Sequence, residues 1–269
     1  ASTATYVLDR LSRWEEGERA TLFNDAPRSK RKTKQVDNKE FKKLRAISLC
    51  REGLDGKACS NLLSKGLVEP TRAAKAKLKL LHPEAPAPPR EQLQNLAHVP
   101  EIPAQLVGKM LRAFPTGTAP GPSGLRVQHL LDACTLSQGT AVVDQLANVV
   151  GLLASGNVPT ELAAYIGCAK LLASPKKCGG LRPIAVGEAL RRLTAKCLCQ
   201  AVKESTQQYL WPVQVGCGTK LGAETVIHTV RQWMGRNSGN QKVLLEIDFN
   251  NAFKCVSRPS FFRRVQEHL

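Results

Sequence analysis

The chain has 269 residues, 42% of them apolar, and 39 Lys and Arg against 22 Asp and Glu leave a net charge of +17. That apolar fraction supplies a core and excludes wholesale disorder, while no apolar run approaches the roughly 20 residues of a membrane span. So large a positive charge favours a polyanionic partner, nucleic acid before an anionic membrane surface.

The N-terminus lacks the charged-then-apolar order of a secretory signal. Nine cysteines make an odd, irregularly spaced set from Cys50 to Cys255 with no Cys-x-x-Cys pair. Cys197 and Cys199 stand too close for an ordinary zinc knuckle. The pattern reads as reduced thiols in an intracellular compartment, nuclear or cytoplasmic, and not as a disulfide framework or metal site.

Residues 1–38 read as a basic, flexible arm. Tyr6, Val7, Leu11 and Trp14 fall on one side of a short helix. Pro27 to Lys34 carries five basic residues in eight, which suits a nuclear-import signal, a phosphate-binding arm or a solvated linker. Residues 39–90 read as a basic helical region. Phe41, Leu44, Ile47 and Ser48 form its first stripe, Gly53 and Gly56 suit a helix end, and helices over 57–65 and 71–81 follow. The third is strongly basic and fits either a nucleic-acid backbone or solvent. Pro83 to Pro89 is a proline-rich break and the expected boundary.

Residues 91–241 alternate helices with turns. Pro103 to Phe114 predicts a short helix with Leu106, Val107, Met110 and Leu111 apolar. Thr118 to Arg126 is a rigid Pro-Gly turn, with Ser123 or Gly124 starting the next helix. Val142, Val143, Leu146, Val149, Val150 and Leu153 keep the helical spacing over 140–154 and predict a core helix. A hairpin is expected from arms at 165–173 and 181–186, with Lys176 and Lys177 at its tip. Pro183 demands an edge position or a bulge. A helix over 188–203 turns Leu190, Leu193, Cys197, Leu198 and Ala201 inward. Gln214 to Lys220 is a flexible loop, and a helix over 222–234 has Val226, Ile227, Val230 and Trp233 as its buried stripe. Residues 242–249 then alternate as a strand ending in Asp248, with Asn250 and Asn251 leading into a turn or helix.

The order of blocks is more specific than any one block. It runs Ala119-Pro-Gly-Pro-Ser-Gly-Leu125, Ala169-Lys-Leu171, Gly179-Gly-Leu-Arg-Pro-Ile-Ala-Val186, Arg191-Arg-Leu-Thr-Ala-Lys196, Gln214-Val-Gly-Cys217 and Glu246-Ile-Asp-Phe-Asn-Asn-Ala-Phe253. This succession resembles the reverse transcriptase domain of non-LTR retrotransposons over residues 100–269. The resemblance implies an α+β, helix-rich fold: fingers over 91–241, the start of the palm over 242–269, and a basic helical leader before them.

The resemblance also implies roles. Asp248 matches the first catalytic aspartate, a ligand of two Mg²⁺ ions, and the main-chain carbonyl of Phe249 reaches a metal. Phe253 matches the aromatic gate that excludes a ribose 2′-hydroxyl. Arg182 matches the fingers arginine that grips the dNTP triphosphate, with Lys170 a weaker candidate for the same task. Lys176, Lys177, Arg191 and Arg192 are candidate contacts to nucleic-acid phosphates. The implied partners are an RNA template, a DNA primer and dNTP, with no membrane.

The chain departs from the family in one important respect. No Asp-Asp pair follows Asp248, although the family supplies its remaining catalytic aspartates in a later palm hairpin. The Gln-Gly element of the nucleotide site is also absent there, since Ser137-Gln-Gly139 comes too early. The expectation is a fragment or decayed copy that does not polymerise alone, with an apolar strand left exposed at 242–249. The alternative is a non-catalytic basic module that binds RNA or DNA.

Overall fold

A computed structural model of the chain describes residues 3–18, 21–22, 25, 38–84, 99–135, 139–176, 179–236, 239, 241–249 and 252–268. The basic stretch at 27–34, Lys177 and most of the proline-rich break lie outside the described residues. The fold is helix-rich with one small antiparallel sheet, and it divides into compact units Ala1–Lys65 and Gly66–Leu269. Among the described residues no helix is long and apolar enough to cross a membrane.

The first unit contains α1 (Thr3–Glu15), α2 (Asn38–Arg51) and α3 (Asp55–Leu63). Gly53 adopts φ +70° after α2, a left-handed conformation that glycine takes without a Cβ penalty. The Leu54 N–H then donates to the Leu49 carbonyl at 2.8 Å, closing the turn into α3. Ala46, Leu49 and Ala58 form the small core of this hairpin. The expected stripe is corrected here. Phe41, Leu44 and Ile47 are exposed, because close approach of α2 and α3 selects the small Ala46 and Ala58 for the contact. Tyr6, Leu11 and Trp14 of α1 are exposed as well.

The second unit begins with α4 (Arg72–Leu80). The Thr71 hydroxyl accepts the Ala74 N–H at 3.1 Å and caps its first turn. α5 (Ala104–Arg112), α6 (Val127–Cys134), α7 (Gly139–Ala154) and α8 (Thr160–Gly167) lead to the hairpin β1 (Ala169–Pro175) and β2 (Leu181–Gly187). Next come α9 (Ala189–Ala201), α10 (Lys203–Leu210), α11 (Gly222–Arg236), α12 (Ala252–Cys255) and α13 (Arg258–His268). The region expected over 39–90 is thus divided: α2 and α3 lie in the first unit, and α4 packs on β2 in the second.

The core joins α5, α6, α7 and α9 through Val107, Met110, Leu111, Val127, Leu146, Val150, Leu193 and Cys197. These positions recur every three or four residues, so each helix turns one apolar stripe inward. Full burial of a side chain such as Leu111 or Leu193 contributes about 1.5–3 kcal/mol.

Pro183 stands opposite Ala173 in the hairpin. The Ala173 carbonyl accepts the Val68 N–H at 2.9 Å from outside the ladder. The 173/183 pair is therefore one whose polar groups face outward, so the N–H that Pro183 lacks belongs to the free edge of β2. An edge position is one of the two places the sequence allows this proline.

Several boundaries move. Residues 165–167 belong to α8 and not to a strand, and the single helix expected over 188–203 is followed by a separate α10. Val226 and Ile227 of α11 are exposed, and Val230 and Trp233 are half-buried. The strand expected at 242–249 does not form. Residues 241–249 have no regular secondary structure, and Val243, Leu245 and Phe249 are 87%, 77% and 72% exposed. An extended segment needs a neighbouring ladder for its backbone groups, and the described sheet contains β1 and β2 alone.

Candidate nucleic-acid interface

The hairpin positions its cations through its register. Lys170 pairs with Val186 and Arg182 with Ser174, and opposed residues share a face. Lys170, Leu172, Ser174, Arg182, Ile184 and Val186 therefore line one side. Lys170 and Arg182 lie four residues apart in register, roughly 13 Å at strand spacing. Both are exposed. Neither has a protein hydrogen-bond or ion-pair partner among the described residues.

The hairpin tip is closed by backbone bonds. The Lys176 N–H donates to Gly180 O at 3.1 Å, and the Gly179 N–H donates to Lys176 O at 3.3 Å. Gly179 and Gly180 sit at φ +83° and +90°, which a side chain would resist. The Lys176 side chain is exposed at this tip.

A cavity of about 880 Å³ lies between α4 and the hairpin. Leu67, Val68, Leu78, Leu171 and Leu172 give it an apolar lining. Lys75, Lys79, His82 and Lys170 add four basic side chains, against one carboxylate from Glu69. The basic α4 thus reaches the same cavity as Lys170. Spacing along the chain did not indicate that meeting, because about 90 residues separate the two.

The cations of α9 have a different setting. Arg191 Nη1 donates to Gly167 O at 2.8 Å, and Arg192 Nη2 donates to Ala119 O at 2.7 Å. Lys196 Nζ donates to Ala113 O at 2.6 Å and lies 4.6 Å from the centre of the Phe114 ring. These side chains tie loop carbonyls to α9, so a phosphate must compete with those bonds for Arg191 and Arg192. Sequence reasoning missed Lys196. It also missed Glu188, whose carboxylate accepts both the Ser123 N–H and its hydroxyl.

Asp248 and Phe249 are exposed in the irregular 241–249 segment, and Phe253 falls in the short α12. The Phe253 side chain, with Asn250 and Asn251, lies outside the described residues. Among the described residues no group of three or more His, Cys, Asp or Glu side chains is placed to hold a metal ion. One aspartate supplies too little charge and too few oxygens for a pair of Mg²⁺ ions. These residues alone therefore do not fit the two-metal centre that the resemblance implies.

Comparison with protein-family models, curated proteins and solved structures finds no match to this chain.

Proposed function

We propose that this chain is the fingers and first palm segment of an RNA-directed DNA polymerase of the non-LTR retrotransposon type. In this reading it binds an RNA template with its DNA primer and does not extend the primer by itself. The supporting observation is that Lys170 and Arg182, from two of the ordered sequence blocks, share one exposed hairpin face without protein partners. A free guanidinium and a free ammonium on one rigid face suit a triphosphate or a nucleic-acid backbone. Arginine offers multidentate, charge-assisted donors, and lysine adds a point charge.

In the same reading the Phe253 ring limits the sugar to deoxyribose, and Asp248 offers one acidic ligand. The remaining carboxylates lie outside this set, so no bond-making step is assigned to these residues. The net charge of +17 brings the polyanion in, and low aromatic content, 5%, keeps the contact on phosphates more than on bases.

A second reading, a basic nucleic-acid-binding module without catalysis, is favoured by the isolation of Asp248 from other carboxylates. Binding of a fluorescent dNTP separates the two. The polymerase reading expects Arg182→Ala to weaken dNTP binding about tenfold, one charge-assisted contact's worth, while Arg45→Ala leaves it unchanged. The binding-module reading expects no saturable dNTP site, and that result overturns the first. Primer extension on a homopolymer RNA tests the rest. Incorporation by the 269-residue chain, abolished by Asp248→Ala, would contradict its proposed inactivity in isolation.

A further inference from the structure

The segment 241–249 is extended in sequence character, exposed along its length and outside any described sheet. Its charges are placed with an order that a solvated loop does not need. Lys242 precedes Leu245 by three residues and Asp248 follows it by three. We propose that this segment is an interaction strand for a second copy of the chain, pairing antiparallel about a two-fold axis at Leu245.

The register follows from the charges. An antiparallel pair centred on Leu245 opposes Lys242 with Asp248 twice, Val243 with Ile247 twice, and Leu245 with itself. All nine residues from Gln241 to Phe249 enter the ladder. Val243, Leu245 and Ile247 of both copies then form one apolar face, and the two Lys–Asp pairs lie on the other.

Competing arrangements fail on the same grounds. A parallel, in-register pair stacks Lys242 on Lys242, Glu246 on Glu246 and Asp248 on Asp248, each a like-charge opposition. An antiparallel pair centred on Glu246 opposes two glutamates. A shift by one residue opposes Val243 with Asp248 and Leu245 with Glu246, placing carboxylates on the apolar face. A pair centred on Leu244 does match Lys242 with Glu246, but it runs Asp248 and Phe249 past the segment into the turn at Gly239.

Each copy carries +17, which opposes association. At physiological salt that repulsion is screened within about 8 Å, so the local complement decides between registers. Self-pairing also satisfies the backbone N–H and C=O groups of a row that otherwise relies on water.

Sedimentation velocity of the full chain over a concentration series tests the proposal. The wild type is expected to form a reversible species of twice the monomer mass. Lys242→Asp is expected to return it to monomer, and the double exchange Lys242→Asp with Asp248→Lys to restore the dimer. Leu245→Lys, which opposes two ammonium groups on the axis, removes it. Unchanged far-ultraviolet circular dichroism in all variants keeps the readout separate from unfolding. A monomer at every concentration, open-ended aggregation, or a dimer insensitive to Lys242→Asp overturns the proposal. So does rescue by the exchange of Lys242 with Glu246 in place of Asp248.

Discussion

Both polar hydrogens of Ser123 go to one carboxylate: its N–H donates to Glu188 Oε1 at 2.7 Å and its hydroxyl to Glu188 Oε2 at 2.6 Å. Ser123 closes the Pro-Gly turn before α6, and Glu188 stands between β2 and α9. The pair therefore fixes the turn to the junction of hairpin and core helix, across 65 residues of sequence. Arg192, one turn further along α9, holds Ala119 at the start of the same turn. Glu188→Ala leaves two donors to water and is expected to lower stability by about 1–2 kcal/mol, since the site is partly solvated. Ser123→Ala on the Glu188→Ala background should cost much less than on the wild type. Urea titrations of the four proteins give the coupling, and additive effects would show that the two residues act independently.

Gly121 tests how closely that turn approaches. A Cβ there would stand 2.8 Å from Gly187 O and from Glu188 Cα, both backbone atoms. At Gly187 a Cβ would instead meet the tip of the Arg191 side chain, which can swing away from Gly167. Gly121→Ala is expected to cost about 2–4 kcal/mol and to displace the turn, in the range of overpacking or of a lost buried contact. Gly187→Ala is expected to cost about 1 kcal/mol or less, the worth of one exposed hydrogen bond. Equal thermal shifts for the two variants would contradict the difference in approach.

Leu193 and Ile227 separate burial from hydrophobic spacing. Leu193 is 0% exposed at the centre of the α5–α7–α9 core, whereas Ile227, equally well phased on α11, is 49% exposed. Leu193→Ala is expected to lose about 2–5 kcal/mol. Ile227→Ala should lose under about 1 kcal/mol, because it leaves no cavity. Chemical denaturation of both variants decides the point. A large loss at Ile227 would place it in a packed contact.

The sequence discloses those parts of the fold in which local period and burial agree. Leu106, Val107, Met110 and Leu111, and likewise Leu193 and Cys197, sit on stripes that meet other stripes. Pro183 announces its edge position because a missing N–H has few places in a ladder. Residues 242–249 fail for the opposite reason. Their alternation is strong, but a strand is a relation between two segments, and no described neighbour supplies the second. On α2 the spacing marks Phe41 and Ile47, yet close approach of α3 selects Ala46. Spacing measures which residues share a face and does not say which face finds a partner. The candidate site is divided in the same way. Arg182 and Lys170 are legible as blocks, while Glu188 and Lys196 act through long-range contacts that leave no local pattern.

Cys197 and Cys199 carry the last prediction, because two positions on α9 reverse their surroundings. Cys197 is fully buried in the core and Cys199 is exposed. Native iodoacetamide labelling is expected at Cys199 and not at Cys197 until the chain unfolds, as peptide mass spectrometry would report. Burial pushes the Cys197 thiol above its ordinary value, with Lys196 pulling weakly the other way. The unfolded thiol ionises near pH 8.5, so above that pH the unfolded state has lost a proton that the folded state keeps. Stability from this group is complete below that value and falls as pH rises towards the folded pKa. Lys254 acts with the opposite sign, since burial lowers its pKa and deprotonation favours the folded state. Comparison with Cys197→Ala isolates the thiol. The variant is less stable at neutral pH through its lost packing, and the gap to wild type should narrow as pH rises from neutral into the alkaline range. A gap that stays constant or widens would mean that Cys197 ionises as readily in the folded chain as in the unfolded one.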